Sequence, residues 1–446
     1  MKGMTGMRAF RAPSAADLFL RDVELGAEDP DAASTIGAVL HVTGAVPRLS
    51  DLQEYVGARL FRLPCLAHIL RGDGRQARWV HVDPDPARHV GARRVAGGPD
   101  ALQAAVRDLV REPWPQAVPP WRLVLLHGHE PDGYALLYLT HHAVQDGATV
   151  AAVLEAFFGP DAPSAQSTTV SRTASAVPRP PLRQVMRSGK VLLRHARKHH
   201  LWTSPSQPLS CRRRTVWVQV PVARLKTAAR AGDASINDVY LAALGHAIAG
   251  WASSAWPRAA ETPLPVMIPV DLRTADEVAV PGNRLFLTRV DLPGGAMPVA
   301  RRLARTPAAT EALKLPGHRA VLRAALTRLP AWLLKPLVKV STARGRLTLA
   351  ASFLVMRKRL RYDDAVVDRI DPVMCCPPGA PLAVVMLLHA GEASVCFRID
   401  EALPGGESLP ARWRQALEEL SESGEPPSVG PGAVAAATAA PGSPVQ

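Results

Sequence analysis

The chain has 446 residues, with 53 Lys and Arg against 39 Asp and Glu, a net charge of +14, and 47% apolar residues. That length holds two or three ordinary cores and excludes a chain that is fibrous or disordered throughout. Five cysteines without C-x-x-C spacing (Cys65, Cys211, Cys375, Cys376 and Cys396) speak against a disulfide framework or zinc knuckle, and no metal site is expected. Met1 to Leu20 lacks the continuous apolar run of a signal peptide, and no stretch approaches the roughly 18 apolar residues of a spanning helix. A cytoplasmic protein, at most peripheral to the inner face of a membrane, is the expectation.

The positive charge is segregated. Ala162 to Gly232 carries 14 Lys and Arg and no acid; Ala312 to Tyr362 carries 12 and no acid; the remainder has 27 basic against 39 acidic residues. Such tracts point to an anionic partner. Nucleic acid is a poor fit, because no helix-turn-helix, finger or aromatic RNP-like signature is present and aromatics are only 5%. The phosphates of a co-substrate, or an anionic membrane or lipid-body surface, remain. Leu322, Ala325, Leu326, Leu329 and Leu333, with Trp332, offer a stripe either for such a surface or for packing in the core, interrupted by Pro330 and Pro336.

In chain order, helices are predicted over Pro47 to Gly57 and Pro99 to Arg111, with a short strand at Trp79 to Val82 between them. Trp121 to His127 and Tyr134 to Thr140 read as strands joined by a turn-rich hairpin, and Gly147 to Phe158 as a helix stopped by Gly159-Pro160. A Ser, Thr, Ala and Pro-rich linker follows to about Leu182, then a basic helix to His200. A strand at Thr215 to Val222, a helix from Ser235 to Trp251, and strands at Pro265 to Pro269 and Leu285 to Leu292 come next. Long basic helices are predicted between Met297 and Arg361, then strands at Leu382 to His389 and Ser394 to Ile399, and a last helix over Ser408 to Ser421. Four segments result: residues 1–160, a basic crossover at 161–210, a second half at 211–423, and a tail at 424–446 whose composition suits disorder.

The strongest chemical signal is His141-His142-Ala143-Val144-Gln145-Asp146-Gly147, between an apolar strand and a helix. A histidine leaving a strand end projects into a cleft from a fixed backbone, which suits a base titrating near neutral pH. Adjacent histidines on extended chain face opposite ways and cannot readily share one metal ion. Ser235-Ile236-Asn237-Asp238 reads as a capping box with Asp in place of Glu, so Asn237 and Asp238 are taken as structural. Cys375-Cys376 has no acid or histidine beside it.

Around this motif the sequence resembles the wax ester synthase/diacylglycerol acyltransferase family, within the superfamily of chloramphenicol acetyltransferase and peptide-synthetase condensation domains. The resemblance is carried by Pro13-Ser14-Ala15-Ala16-Asp17-Leu18-Phe19-Leu20, Arg62-Leu63-Pro64, His89-Val90, Pro119-Pro120-Trp121-Arg122, the seven-residue motif, Ser235 to Ala242, and Pro269-Val270-Asp271-Leu272-Arg273 with Gly282-Asn283. It implies an α/β fold of two similar halves with mixed sheets, joined by a crossover, with a tunnel between them. It implies His142 as general base and His141 as its support. Asp146, Gly147, Arg273, Asn237, Asp238 and Asn283 then shape the site, with Arg273 as the partner of Asp146. Arg212, Arg213 and Arg214 are candidates for the phosphates of acyl-CoA, a co-substrate; no cofactor is implied. The activity implied is transfer of a fatty acyl group from a thioester to an alcohol. A condensation-like ester- or amide-forming enzyme, or an inactive lipid-binding relative, are the alternatives. Arg122 replaces the family's glutamate, Pro120 its leucine, and Met374 to Gly379 its Ser-Asn-Val-Pro-Gly-like run, which leaves the acceptor open.

Overall fold

The computed structural model describes residues 12–25, 34–115, 117–160, 180–193, 209–210, 212–255, 262–274, 277, 280–315, 317–328, 334, 336, 349–376 and 380–422. The predicted linker at 161–179, the end of the basic helix and the tail lie outside them. Fourteen strands are described: β1 (Thr35–Thr43), β2 (His68–Arg71), β3 (Arg78–His81), β4 (Val90–Arg94), β5 (Trp121–Glu130), β6 (Gly133–His141), β7 (Arg213–Pro221), β8 (Leu264–Asp271), β9 (Leu285–Leu292), β10 (Leu349–Val355), β11 (Arg361–Tyr362), β12 (Ala365–Val373), β13 (Leu382–His389) and β14 (Glu392–Asp400). Two six-stranded sheets are ordered β11-β12-β1-β6-β5-β4 and β7-β14-β13-β10-β8-β9, with β2-β3 a separate ribbon. Both are mixed: β4 runs parallel to β5, and β10 parallel to β8 and β13.

Strand β6 explains the first sheet. All nine residues are buried, as the central strand of a sheet covered on both faces must be. Its alternation divides Tyr134, Leu136 and Tyr138, which join a core with the helix Gly147–Phe158, from Ala135, Leu137 and Leu139, which pack with the helix Pro99–Arg111. The second sheet is covered on one face by helices Val222–Ala231, Ile236–Ala255, Val299–Lys314 and Leu409–Glu422. Its other face, with Val385 and Leu387 of β13, looks into a cavity between the sheets.

Three departures from the sequence reading have physical causes. Strand β1 carries Gly37 as its third residue, which weakens a strand signal, yet a Cβ there would lie 1.8 Å from the Tyr138 carbonyl oxygen of β6. Strand β10 lies where helix is predicted; with Leu349 and Ala351 in the core and Ala350 and Leu354 on the cavity wall it is apolar on both faces and shows no period-2 contrast, and its parallel pairing with β13 overrides the helix propensity of its Leu and Ala residues. Strand β12 belongs by sequence to the second half, 211–423, but pairs with β1 of the first sheet from Gly37↔Val373 to Val42↔Val367.

That crossover closes the seam between the sheets. Trp217 Nε1 of β7 donates to the Pro372 carbonyl at 2.8 Å. The buried carboxylate of Asp371 accepts from Ser394 Oγ at 2.6 Å and Gln219 Nε2 at 3.1 Å, and lies 2.8 Å from His41 Nε2. Two acceptor oxygens thus bind β1, β7, β12 and β14 together.

Only the first part of the amphipathic stripe expected between Leu322 and Leu333 falls within the described residues. Leu322 is fully buried and Leu326 lines the cavity, while residues 329–333 lie outside the described set. Among the described residues no helix is long and apolar enough to cross a membrane.

Candidate functional site

Strand β6 delivers the motif to the gap between the sheets. Its alternation sends His141 to the face of helix Pro99–Arg111 and His142 to the opposite face, where the cavity lies. His141 is buried, and its Nδ1 accepts the Ala143 N–H at 2.9 Å, so it braces the turn after the strand.

His142 is held at three points. Its N–H donates to the Ser34 carbonyl at 2.6 Å, its own carbonyl accepts from Asn283 Nδ2 at 2.7 Å, and its Nδ1 lies 3.0 Å from the Gln145 carbonyl oxygen. A carbonyl oxygen only accepts, so Nδ1 carries the hydrogen and Nε2 of the neutral ring carries the lone pair. Burial lowers the His142 pKa below its ordinary 6.5, with the nearby Asp146 charge opposing it. The neutral base is therefore the form present at pH 7.

Asp146 terminates the motif and caps the helix Gly147–Phe158, accepting from Thr149 N and Oγ1, each at 2.9 Å. It also meets Arg273 in a fork, with Nε 3.2 Å from both carboxylate oxygens and Nη2 at 3.0 Å, and accepts the Arg284 N–H at 3.0 Å. Both side chains of the pair are almost fully buried, at 2% and 3% exposure. Burial alone would push this carboxyl up, but the Arg273 charge and the converging donors hold it below its ordinary value. Arg273 extends to the carbonyls of Glu277 and Val280, so one guanidinium fastens the loop after β8 to the motif of the other sheet. A Cβ on Gly147 would stand 3.2 Å from Leu354 of β10, which is where the two sheets approach each other.

The cavity measures about 310 Å³. Its walls are β1 (Ile36, Ala38), the helix Gly147–Phe158 (Val150, Leu154), β9 and β10 (Leu285, Phe286, Leu354), β13 (Val385, Leu387) and the N-terminal helix Ala15–Leu25 (Phe19, Leu20). The polar residues among the walls include His142, Asp146, Asn283, Ser34 and Ser352. Among the described residues no Lys or Arg lines it. An apolar cavity with the His142 ring on its wall is suited to an aliphatic chain whose reactive end lies beside that ring.

Asn237 and Asp238 stand outside the cavity. Asp238 accepts from Ser235 N at 3.1 Å and Oγ at 2.6 Å while Ser235 Oγ accepts the Asp238 N–H at 3.1 Å, a closed capping box, and Thr310 Oγ1 and Lys314 Nζ complete its shell. The three arginines proposed for CoA phosphates differ in their surroundings. Arg213 is buried and ion-paired with Asp400, Arg212 meets Glu401 at 3.3 Å, Arg214 is exposed on β7, and none lines the cavity. Alternation along β7 buries the middle arginine and turns its neighbours outward. Cys375 and Cys376 line the cavity with Met374; burial raises the Cys376 thiol pKa, which disfavours a thiolate. Among the described residues no cluster of three His, Cys, Asp or Glu could hold a metal ion. Ser34 and Arg284 belong to no quoted motif, and only the fold brings them to His142 and Asp146; Gln145 lies within the seven-residue motif and Asp17 within the N-terminal segment, but neither was given a role from sequence.

Comparison with known proteins agrees with this geometry. The model of the wax ester synthase/diacylglycerol acyltransferase catalytic domain matches residues 27–199. A Mycobacterium tuberculosis protein named as a diacylglycerol O-acyltransferase is 28% identical over 249 residues, 49% of this chain and 56% of that protein, so the chain spans little more than half of its length. The diacylglycerol O-acyltransferase tgs1 of the same organism is 26% identical over 410 residues, 82% of this chain and 87% of that one. Among solved structures, the wax ester synthase/diacylglycerol acyltransferase of Marinobacter aquaeolei VT8 superposes with a TM-score of 0.60 at 17% identity, covering 93% of this chain and 100% of that one. The starter condensation domain of rhizomide synthetase, in complex with C8-CoA, superposes with a TM-score of 0.66 at 14% identity, covering 94% and 95%. The chain is thus similar, through residues 27–199, to the wax ester synthase/diacylglycerol acyltransferase catalytic domain, and it shares the fold of the Marinobacter aquaeolei VT8 enzyme and of the condensation domain.

Proposed function

We propose that the protein is an acyltransferase that moves a fatty acyl group from acyl-CoA to an alcohol, with His142 as general base. The observation that carries this reading is the placement of His142: Nδ1 occupied by the Gln145 carbonyl, Nε2 left with the lone pair, in an apolar cavity between two sheets. Nε2 takes the proton of the acceptor hydroxyl as its oxygen attacks the thioester carbonyl carbon. The tetrahedral intermediate then expels the thiolate, which takes the proton back from the imidazolium, so the base is restored and no acyl-enzyme forms. The names of the relatives support the ester-forming chemistry, and the C8-CoA bound in the condensation domain supports a CoA thioester as donor. Mass spectrometry of products from octanoyl- to stearoyl-CoA mixed with fatty alcohols, diacylglycerol and amines tests it. Ester products support the reading; amide products alone overturn it in favour of condensation-like chemistry.

The described part of the basic crossover suggests how a lipid acceptor would be reached. On helix Leu182–Leu193, Leu182 and Met186 are 74% and 61% exposed, with Val185 between them and Arg183, Arg187 and Lys190 exposed alongside. Apolar side chains beside cations suit an anionic lipid surface. Co-sedimentation with vesicles containing phosphatidylglycerol should be strong at low salt, weak at high salt, and reduced by Met186→Glu; equal binding to neutral vesicles contradicts this contact.

A further inference from the structure

We infer that Asp17 is a positioning residue for His142, acting through Asn283. This rests on the reading of His142 as the base, and goes beyond it by assigning the N-terminal helix a part in the active centre.

The connection is short and fully buried. Asp17 has no exposed surface, and its Oδ1 accepts both the backbone N–H of Asn283 at 2.7 Å and Asn283 Nδ2 at 2.8 Å. The second hydrogen of that same Nδ2 goes to the carbonyl of His142 at 2.7 Å. Carboxylate and carbonyl oxygens both accept only, so the amide of Asn283 has one orientation that satisfies them, nitrogen toward both. Asp17 Oδ2 accepts the Ser14 N–H at 2.7 Å while Ser14 Oγ accepts the Asp17 N–H at 3.2 Å, a capping box that fixes the carboxylate at the start of the helix Ala15–Leu25. From the other side, Gly282 adopts φ +89°, and a Cβ there would come within 2.8 Å of Asp17 Oδ2. The loop bearing Asn283 therefore closes onto this carboxylate at a position only glycine allows.

Asp17 itself does not line the cavity, whereas its helix neighbours Ala15, Ala16 and Phe19 do. Its effect on turnover must pass through Asn283 and the peptide of His142. The same helix is tied to that peptide by a second route: Ser34 Oγ donates to the Leu20 carbonyl at 3.1 Å, and the Ser34 carbonyl accepts the His142 N–H. Releasing the carbonyl of His142 frees the peptide plane that aims the ring, and small displacements of a catalytic group lower turnover without weakening substrate binding.

A double-mutant cycle on the full chain tests the inference, with octanoyl-CoA as donor, the alcohol that turns over fastest as acceptor, and melting recorded for each variant. Asp17→Ala and Asn283→Ala are each expected to lower kcat about tenfold with KM for octanoyl-CoA within about twofold, and the double variant to be no worse than the poorer single. Asp17→Asn, which keeps an acceptor toward Asn283, should recover most of kcat. If the alanine variant does not fold, Asp17→Leu, of similar size but without an acceptor, replaces it in the cycle. A double variant near the product of the singles, or an effect of Asp17→Ala on KM alone, overturns the proposal. His142→Ala serves as control: if it turns over like wild type the reading of the base fails, and if it is inactive while the cycle is multiplicative only the role of Asp17 falls.

Discussion

At the scale of single residues, the account turns on two buried groups held in opposite charge states. His142 is kept neutral by burial, so kcat/KM should rise with pH through a midpoint below the ordinary histidine value of 6.5 and stay flat above it. The sign follows from the role: the unprotonated ring is active, and activity is lost as pH falls through its lowered pKa. A pH–rate profile with its acid limb at or above 6.5 contradicts the assignment. Asp146 is kept ionised by Arg273, and Asp146→Asn strands that guanidinium in a dry site, at a cost of about 3–5 kcal/mol. Because the carboxyl pKa is lowered on folding, its stabilisation is present above the ordinary carboxylate value and lost as pH falls through the folded one. Melting temperature against pH should accordingly fall less steeply on the acid side for Asp146→Asn than for wild type. A variant with unchanged melting but no turnover would give Asp146 a chemical role instead.

At the scale of elements, Gly37→Ala tests why β1 tolerates a glycine. The added methyl would meet the Tyr138 carbonyl of β6, a backbone atom that cannot rotate away. The variant should lose at least the roughly 1–3 kcal/mol of ordinary overpacking, read as a lower chemical midpoint; no change would mean that the strands separate freely. The same element shows the limits of the sequence. Helices Pro99–Arg111 and Gly147–Phe158 were readable because one face repeats at helical spacing, and the latter has its cap in Asp146. Strands β1 and β10 were not, because apolar residues on both faces leave no alternation to see. Strand β12 was hidden by Asp368, Arg369, Asp371 and Pro372, which look like a loop until Asp371 finds His41 and Ser394. In the site, His142, Asp146 and Arg273 follow from a motif and an order of segments. Asp17 meets Asn283 across 266 residues, and no local pattern can announce such a pairing.

At the scale of the whole molecule, the cavity exists only where two sheets from different parts of the chain face each other, and β12 with Asp371 joins them. Asp371→Ala leaves Ser394 and Gln219 without their shared acceptor, so it should weaken the seam and the cavity together, with activity and folded structure lost over one common temperature range. Activity lost well below the unfolding of both sheets would instead show that the seam tunes the cavity without holding the fold.

The central claim, that Nε2 of His142 removes the proton of the acceptor, is tested most directly by the rate of ester formation from acyl-CoA in His142→Ala compared with wild type. The account predicts product formation slower by about 10² to 10⁴, the usual loss for a missing general base, with the variant still folded. Ester formed by His142→Ala at the wild-type rate would contradict it.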